Sequence, residues 1–284
     1  MVGPPLLIPE DLAPGDVRGL EVDWTGLRVE RVRSADHPLF PRLYERLWRE
    51  FGALGEMEKR EVIVDRLAWD PRRPVNHHAL LYEMLAVLAG DEVVGLRDHT
   101  AIVPRPPHRP SHPGQVIVHL SHVIVEPPMR GGGLSAWLRA FPLQTARECA
   151  AAAGEPASDR ITLVAEMEHP DQRSANVTAR LRSYERAGFR KIDPDAVRYM
   201  QPDFRPAAEI DASSVQPVPL ALVVRRVGRE HEPTVAGGEA REVVRALYSM
   251  FGAHARADHL APLWALLDHF PGPGEVVALR RPLE

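Results

Sequence analysis

The stretch at residues 123–138, VIVEPPMRGGGLSAWL, joins a strand-like segment directly to a helix-like one. Its apolar, β-branched run ends at Pro127 and Pro128, which cannot donate to a sheet ladder. Three glycines, Gly131–Gly133, follow Arg130 and lead into the helical segment without a spacer. A helix entered in this way begins with N–H groups that have no partners. Because glycine has no Cβ atom, we expect these N–H groups, the helix dipole and Arg130 to bind a phosphate-sized anion.

This segment differs from two familiar phosphate sites. It lacks the Gly-Lys-Ser/Thr of a P-loop, and it lacks the G-x-G-x-x-G spacing of dinucleotide-binding folds. The alternative interpretation is a glycine-rich turn that binds nothing.

The bulk composition limits the class of protein. The 284 residues are 44% hydrophobic and 26% charged, as in globular proteins, and the net charge of −4 disfavours nucleic-acid and anionic-membrane partners. Cys149 is the only cysteine, so neither an internal disulfide nor a thiolate metal cluster can form. Residues 1–15 lack the features of a signal peptide, and no apolar run approaches the ~18 residues of a membrane span. We therefore expect a reducing, cytoplasmic setting.

Hydrophobic periodicity divides the chain into an arm, a main domain and an extension. The Pro- and Gly-rich residues 1–26 predict an irregular arm that lies on the body, residues 27–226 the main domain, and residues 227–284 a C-terminal extension. We expect strands at 27–33, 80–89, 92–103, 115–125, 161–168, 189–200, 218–226 and 275–279, and helices at 37–51, 58–67, 134–153, 174–187 and 240–251. Pro142 predicts a break in the helix at 134–153. This order indicates a mixed α/β sheet.

Three motifs resemble those of the GNAT acetyltransferases. Residues 125–134, VEPPMRGGGL, resemble the V-x-P-x-x-R-G-x-G-L segment, which binds the pyrophosphate of acetyl-CoA in that family. Residues 184–189, YERAGF, resemble the second signature, Y-E-x-x-G-F, and residues 90–95, GDEVVG, resemble the family's hairpin. The resemblance covers residues 27–226 and implies a GNAT-type α/β (α+β) fold. Such a fold has a mostly antiparallel sheet, splayed between its fourth and fifth strands and flanked by helices, here with a C-terminal helical extension.

The resemblance also implies acetyl-CoA as cosubstrate. Its expected binding residues are the main chain of Val123, Ile124 and Val125, followed by Arg130, Gly131, Gly132, Gly133, Leu134 and Ser135. The family usually has Gly or Ala where this chain has Ser135, which is small enough to keep the site. The family's pantetheine-binding Asn is replaced by Val177, and the neighbouring Asn176 is one residue out of place, so neither is assigned a role.

Tyr184 is the proton donor to the departing thiolate that the resemblance implies. A phenol of pKa ~10 can protonate a thiolate of pKa ~8.5 at a modest penalty. The alternative is a core aromatic, since Val177, Leu181 and Tyr184 share one helical face.

His119 is the first candidate for the general base, since several family members place a Glu or His at this distance before the motif arginine. A structural histidine is the alternative. Strand alternation places His119, Ser121, Val123 and Val125 on one face and His122, Ile124 and Glu126 on the other, unless a bulge shifts the parity. Glu166 and Glu168 share one face of the next strand and are second-choice bases. Their proximity requires a cation between them, either an amine substrate or an arginine.

Together these features predict an N-acetyltransferase that acts on a primary amine of a small molecule or peptide. The alternative is a catalytically degenerate GNAT-like protein that binds acyl-CoA for regulation, while O-acetylation or a longer acyl donor also stays open. No metal is expected, because the pairs His119 and His122, His108 and His112, and His77 and His78 lack zinc geometry. The apolar residues of 227–284 must be buried, either on this chain's own domain or in a homodimer.

Overall fold

The computed structural model describes residues 7–105, 114–155, 160–169 and 175–284. Its strands are β1 (Leu27–Val32), β2 (His78–Ala89), β3 (Glu92–Pro104), β4 (Val116–Val125), β5 (Ile161–Met167), β6 (Arg190–Ile192), β7 (Met200–Gln201), β8 (Val218–Pro219), β9 (Ala221–Arg226), β10 (Thr234–Ala236) and β11 (Val276–Arg280). Its α-helices are α1 (Phe40–Phe51), α2 (Arg60–Leu67), α3 (Leu134–Ala140), α4 (Pro142–Ala152), α5 (Ala175–Arg186), α6 (Ala207–Ser213), α7 (Gly237–Phe251) and α8 (Ala257–Leu266).

Within the described ranges, nine strands form one sheet in the order β1-β2-β3-β4-β5-β9-β6-β11-β10, and β7 pairs with β8 separately. The pairs are antiparallel except for β4 and β5. The two-residue turn Gly90-Asp91 makes β2 and β3 antiparallel, whereas helices α3 and α4 form the crossover that a parallel pair requires. The expected mixed, mostly antiparallel α/β sheet is confirmed.

The parallel pair is short, and the two strands then separate. Residues Val116 to His119 of β4 pair with Ile161 to Val164 of β5. Beyond that point β4 stays paired with β3 as far as Val125, while β5 stays paired with β9. The expected splay between the fourth and fifth strands is therefore confirmed.

The helix that follows β4 breaks at Pro142, as expected. α3 ends at Ala140, and α4 begins with Pro142 in its first turn, where the missing N–H has no intrahelical partner in any case. The break separates α4, which packs against β2 and β3, from α3, which packs against β3 and β4.

The strand expected at residues 189–200 is wrong over most of its length. Only β6 and β7, at its two ends, are strands. The carbonyl of Asp193 accepts the N–H groups of Ala196 and Val197, so the chain turns there instead of continuing as a ladder. The proline-rich loop expected at 104–114 begins one residue later, because β3 includes Pro104, and residues 106–113 with His108 and His112 lie outside the described ranges.

Residues beyond 226 pack onto the sheet. One core cluster combines Leu80, Ile102 and Ile117 of β2, β3 and β4 with α7 residues such as Leu247 and Phe251. β11 extends the sheet by pairing with β6. The domain boundary at 226/227 and a homodimer stay predictions. None of the described helices combines the length and the apolar character needed to span a lipid bilayer.

Candidate active site

A bulge in β4 sets the directions of the candidate side chains. On β3, Asp98 and Thr100 are two residues apart, but their partners on β4, His122 and His119, are three apart. The extra residue shifts the parity of the strand, so both histidines point to the same side, with Ser121 between them. The expectation that His119 and His122 face opposite ways, and the argument against metal built on it, are wrong.

These side chains line a pocket of about 290 Å³ on the side of the sheet where α1 and α7 lie. Its polar part includes His119, His122, Glu166 and Glu168, and Phe251 forms part of its apolar wall. The strand separation begins at His119, so the pocket lies next to the opening between β4 and β5.

His119 forms the centre of a hydrogen-bonded chain. Its Nε2 lies 2.9 Å from Glu166 Oε2, and the other oxygen of Glu166 accepts the Tyr199 hydroxyl at 2.6 Å. Because a carboxylate only accepts, the proton of a neutral His119 is on Nε2. Its Nδ1 is then an acceptor and lies 3.2 Å from Ser121 Oγ. His119 is 3% exposed and can take a proton at Nδ1, directly or through Ser121.

His122 is a fixed cation in the same pocket. Its Nδ1 lies 3.0 Å from Asp98 Oδ1, and its Nε2 lies 3.1 Å from the Glu56 carbonyl oxygen, so both nitrogens donate. Burial lowers the pKa of His122, but the charge and hydrogen bonds of Asp98 more than offset this and raise it to about 9. For Asp98 the directions are reversed: burial by itself raises its pKa, but the charge and hydrogen bonds of His122 lower it to about 2. His122 therefore cannot accept a proton near neutral pH.

The two glutamates of β5 have different partners. Glu166 binds His119 and Tyr199, whereas Glu168 forms an ion pair with Arg180. Of the two expected cations, the arginine is the one present at Glu168. Glu56 also lines the pocket, and burial, together with the charge of Glu168, raises its pKa.

Tyr184 lies on the opposite side of the sheet, in the core. It is 3% exposed, and Arg97 Nη2 donates to its hydroxyl oxygen at 3.3 Å. The guanidinium of Arg139 lies 5.3 Å from its ring centre, and Phe189 packs edge-on against it. Among the described residues its own hydroxyl proton has no acceptor. The core interpretation is correct for the ring, and the proton-donor role stays a prediction.

The glycine turn is only partly open. Gly131, with φ of 85°, and Gly132 are exposed, and a Cβ added to Gly131 would meet nothing within 4 Å. Gly133 is buried, and a Cβ added to it would lie 2.0 Å from the Arg18 carbonyl oxygen. Within the described ranges, the N–H groups of Gly131 and Gly132 have no backbone acceptor. The expectation of three open glycines therefore holds for two of them.

The remaining expected binding residues differ in exposure. Arg130 is exposed and its Nε donates to the Val125 carbonyl at 3.0 Å, while Ser135 is half-buried. Leu134 is buried in the core cluster against which the side chains of Val123 and Val125 pack. Ile124 packs in another cluster. The side chains of Val123, Ile124 and Val125 are therefore packed, and binding through their main chain stays a prediction.

The N-terminal arm covers Gly133. It contains two 3₁₀ turns, Pro9–Asp11 and Pro14–Leu20, and the second lies between α3 and α5. These two helices follow the two strands that separate, so the arm closes that side of the opening. The sequence suggested an arm on the body but gave no sign of this position.

Histidine, cysteine and carboxylate side chains do not gather into a metal site in the described ranges, where no three of them are placed to hold an ion. The residues missed from the sequence are Ser121, His122 and Tyr199. For His122 the signal is the bulge of β4, which has no recognisable sequence pattern, whereas Tyr199 lies outside β4, directly before β7.

No protein-family model matches the sequence, and no curated protein is similar to it. Among solved structures, the chain is similar to a Bacteroides thetaiotaomicron protein assigned to the GNAT acetyltransferases, with 16% identity, a TM-score of 0.43, and coverage of 78% of this chain and 98% of that chain. It is also similar to Arabidopsis thaliana NAA60, solved with a bisubstrate analogue, with 14% identity, a TM-score of 0.40, and coverage of 70% and 98%. A third structure, yncA of Salmonella typhimurium with acetyl-CoA, has 19% identity, a TM-score of 0.34, and coverage of 71% and 94%. At these identities and TM-scores, the likeness carries no conclusion about the family or the activity of this chain.

Proposed function

We propose that this protein is an acetyl-CoA-dependent N-acetyltransferase that transfers the acetyl group to a primary amine of a small molecule or peptide. The observation that carries the proposal is the parallel pair β4–β5, which opens beyond His119 and Val164. On one side of the opening lies the pocket with His119, and on the other lie the glycine turn and Tyr184. The donor and the acceptor can therefore approach one another from opposite sides of the sheet.

The residues present fit the diphosphate of the donor at the glycine turn. Gly131 and Gly132 are exposed, carry no Cβ, and offer N–H groups without backbone acceptors in the described ranges. Arg130 lies next to them and is exposed. The donor supplies an activated thioester, and the main chain of β4 beyond His119, which β5 leaves unpaired, can donate to the developing oxyanion.

His119 is the base in this proposal. An alkyl amine has a pKa near ~10 and must lose a proton before it can attack a thioester. The Nδ1 of His119 takes that proton through Ser121, and the carboxylate of Glu166 stabilises the resulting imidazolium. Since His122 is already protonated and Glu168 is paired with Arg180, neither competes for this role.

Tyr184 is the proposed donor of a proton to the leaving thiolate. Arg97 donates to its hydroxyl oxygen, which leaves the hydroxyl proton available. Arg97 also favours the phenolate that remains after the transfer, because a nearby guanidinium stabilises a negative charge.

A release assay tests the proposal. The full-length protein is incubated with acetyl-CoA and a panel of primary amines, and free thiol is measured; the only cysteine, Cys149, is buried and adds little background. We expect amine-dependent release, a loss on His119→Ala and a reduction on Tyr184→Phe. Release that is unchanged in Tyr184→Phe would remove the proton-donor role alone.

One observation favours a second candidate function, a GNAT-like protein that binds acyl-CoA for regulation without turnover. The arm fills the space between α3 and α5, so the donor side is closed in this conformation. CoA binding without thiol release for any amine would support this candidate over the enzyme.

A further inference from the structure

The segment Pro14–Leu20 fits between α3 and α5 through contacts that leave no room for side chains. A Cβ on Gly15 would lie 1.8 Å from the carbonyl oxygen of Arg186, at the end of α5. A Cβ on Gly19 would lie 3.0 Å from the backbone nitrogen of Trp137 in α3. Because both neighbours are backbone atoms, only glycine at these positions allows the segment to lie this close to the helices.

Asp16 is the charged group that this segment inserts. It is 1% exposed, and its carboxylate accepts from Arg139 Nε at 2.9 Å and from Nη2 at 2.7 Å. Arg139 is itself only 6% exposed. Without Asp16, this guanidinium would be a buried charge with no carboxylate partner, which is unfavourable unless another anion takes its place.

A second buried guanidinium, that of Arg97, adds positive charge to the same region. Arg97 is fully buried and donates to the Tyr184 hydroxyl, whose ring also contacts Arg139. Its Nε and Nη1 atoms are buried and have no hydrogen-bond partner among the described residues. In the part of the chain that the structure describes, Arg139 is therefore paired with a carboxylate and Arg97 is not, and the region carries an unmatched positive charge.

We propose that residues 14–20 are an internal occupant of the donor site, and that Arg139 exchanges Asp16 for a phosphate group of the acyl-CoA donor. This inference rests on the proposed function. Docking of the segment and binding of the donor exclude each other, so the apparent affinity for CoA is reduced by the fraction of molecules in which the segment is undocked. A chain whose segment cannot dock should bind CoA more tightly.

Calorimetric titration of the full-length protein with CoA tests the exchange. Gly15→Ala forces the segment away from α5 without changing either helix, and Asp16→Asn weakens its hold on Arg139. If the segment is docked in nine of ten molecules, we expect both variants to lower the apparent Kd about tenfold. Val17→Ala is the matched control, because Val17 lies in the same turn with 47% exposure. Arg139→Gln also releases the segment, but it removes the proposed partner of the donor phosphate, so we expect it to raise the Kd.

Limited proteolysis gives a readout that does not depend on affinity. Arg18 is exposed but lies in the docked turn, so trypsin needs local undocking to cleave after it. We expect CoA to accelerate the appearance of chains that begin at Gly19, as seen by mass spectrometry of the wild-type protein. Thermal melting verifies that each variant is folded.

The outcomes separate the two proposals. Equal Kd values for wild type, Gly15→Ala and Asp16→Asn, or cleavage after Arg18 that CoA does not accelerate, would overturn the internal occupant and leave the proposed function intact. If Arg139→Gln binds CoA as tightly as Asp16→Asn, Arg139 does not contact the donor. If neither the wild type nor the variants bind CoA, the proposed function itself fails.

Discussion

Asp98→Asn is expected to remove a pH-dependent contribution to the free energy of unfolding. In the wild type, His122 is buried between Asp98 and the Glu56 carbonyl and stays charged, with its pKa raised from 6.5 to about 9. In an unfolded chain the same imidazole would return to its ordinary value. The folded state therefore binds a proton more tightly than the unfolded state does, and stability depends on pH wherever the two differ.

The size of this contribution to the free energy of unfolding follows from the pKa shifts of His122 and Asp98. At about 1.36 kcal/mol for each pKa unit, the raised pKa of His122 corresponds to about 3 kcal/mol, and the lowered pKa of Asp98, about 2 instead of 3.8, to about 2 kcal/mol. Both describe the same pair and are not added, so we take about 2–3 kcal/mol. Since the pKa of His122 is raised in the folded state, this stability is fully present below pH 6.5 and is lost as the pH rises through 9.

Urea unfolding at several pH values between 6 and 9.5 measures the effect. We expect Asp98→Asn to be less stable than the wild type by about 2–3 kcal/mol at pH 6, and the difference to shrink towards pH 9.5. A constant offset remains, because Asp98 also accepts from the Tyr82 hydroxyl and from the N–H of His122. Asp91→Asn at an exposed position is the matched control. Parallel curves for wild type and Asp98→Asn across this range would refute the charged pair.

Three further changes examine the pocket and the extension. Ser121→Ala should reduce kcat for amine-dependent thiol release about tenfold, which is part of the ~10²–10⁴-fold rate increase that general base catalysis supplies. An unchanged kcat would show that the proton reaches His119 without the serine. Glu56→Gln should raise the KM for a cationic amine and leave kcat nearly unchanged, whereas an unaltered KM would place the amine elsewhere. Leu247→Ala should cost about 2–5 kcal/mol in one cooperative transition by calorimetry, because Leu247 is fully buried in the cluster shared with the sheet, and two separate transitions would contradict this.

Much of the sheet could be predicted because its signals are local. The two-residue turn after Ala89 joins two long apolar runs, and the break at Pro142 follows from the missing N–H of proline. The glycine turn and the shared face of Glu166 and Glu168 also depend on neighbouring residues alone. The structure therefore contains these features where the sequence placed them.

Other features could not be predicted because their causes are distant in sequence. The bulge of β4 is defined by its register with β3, so the shared side of His119 and His122 becomes visible only when the strands pair. The expected strand at 189–200 failed because the turn at Asp193 overrides a suitable pattern of apolar residues. Docking of residues 14–20 leaves no hydrophobic period, since glycines and Asp16 make its contacts.

The two sides of the opening between β4 and β5 carry opposite charge, which gives the fold a way to sort its proposed substrates. The pocket side contains Glu56, which has no ion-pair partner among the described residues, in addition to its paired carboxylates. The other side contains Arg97, whose guanidinium has no carboxylate partner within the described ranges, and Arg139, whose carboxylate partner there is Asp16 of the arm. Under the proposed function, this difference in charge would attract a cationic amine to the first side and a phosphate-bearing donor to the second. Asp16 then has a physical reason to be in the arm: a docked segment without a carboxylate would leave two adjacent buried cations, and the closed conformation would be unstable.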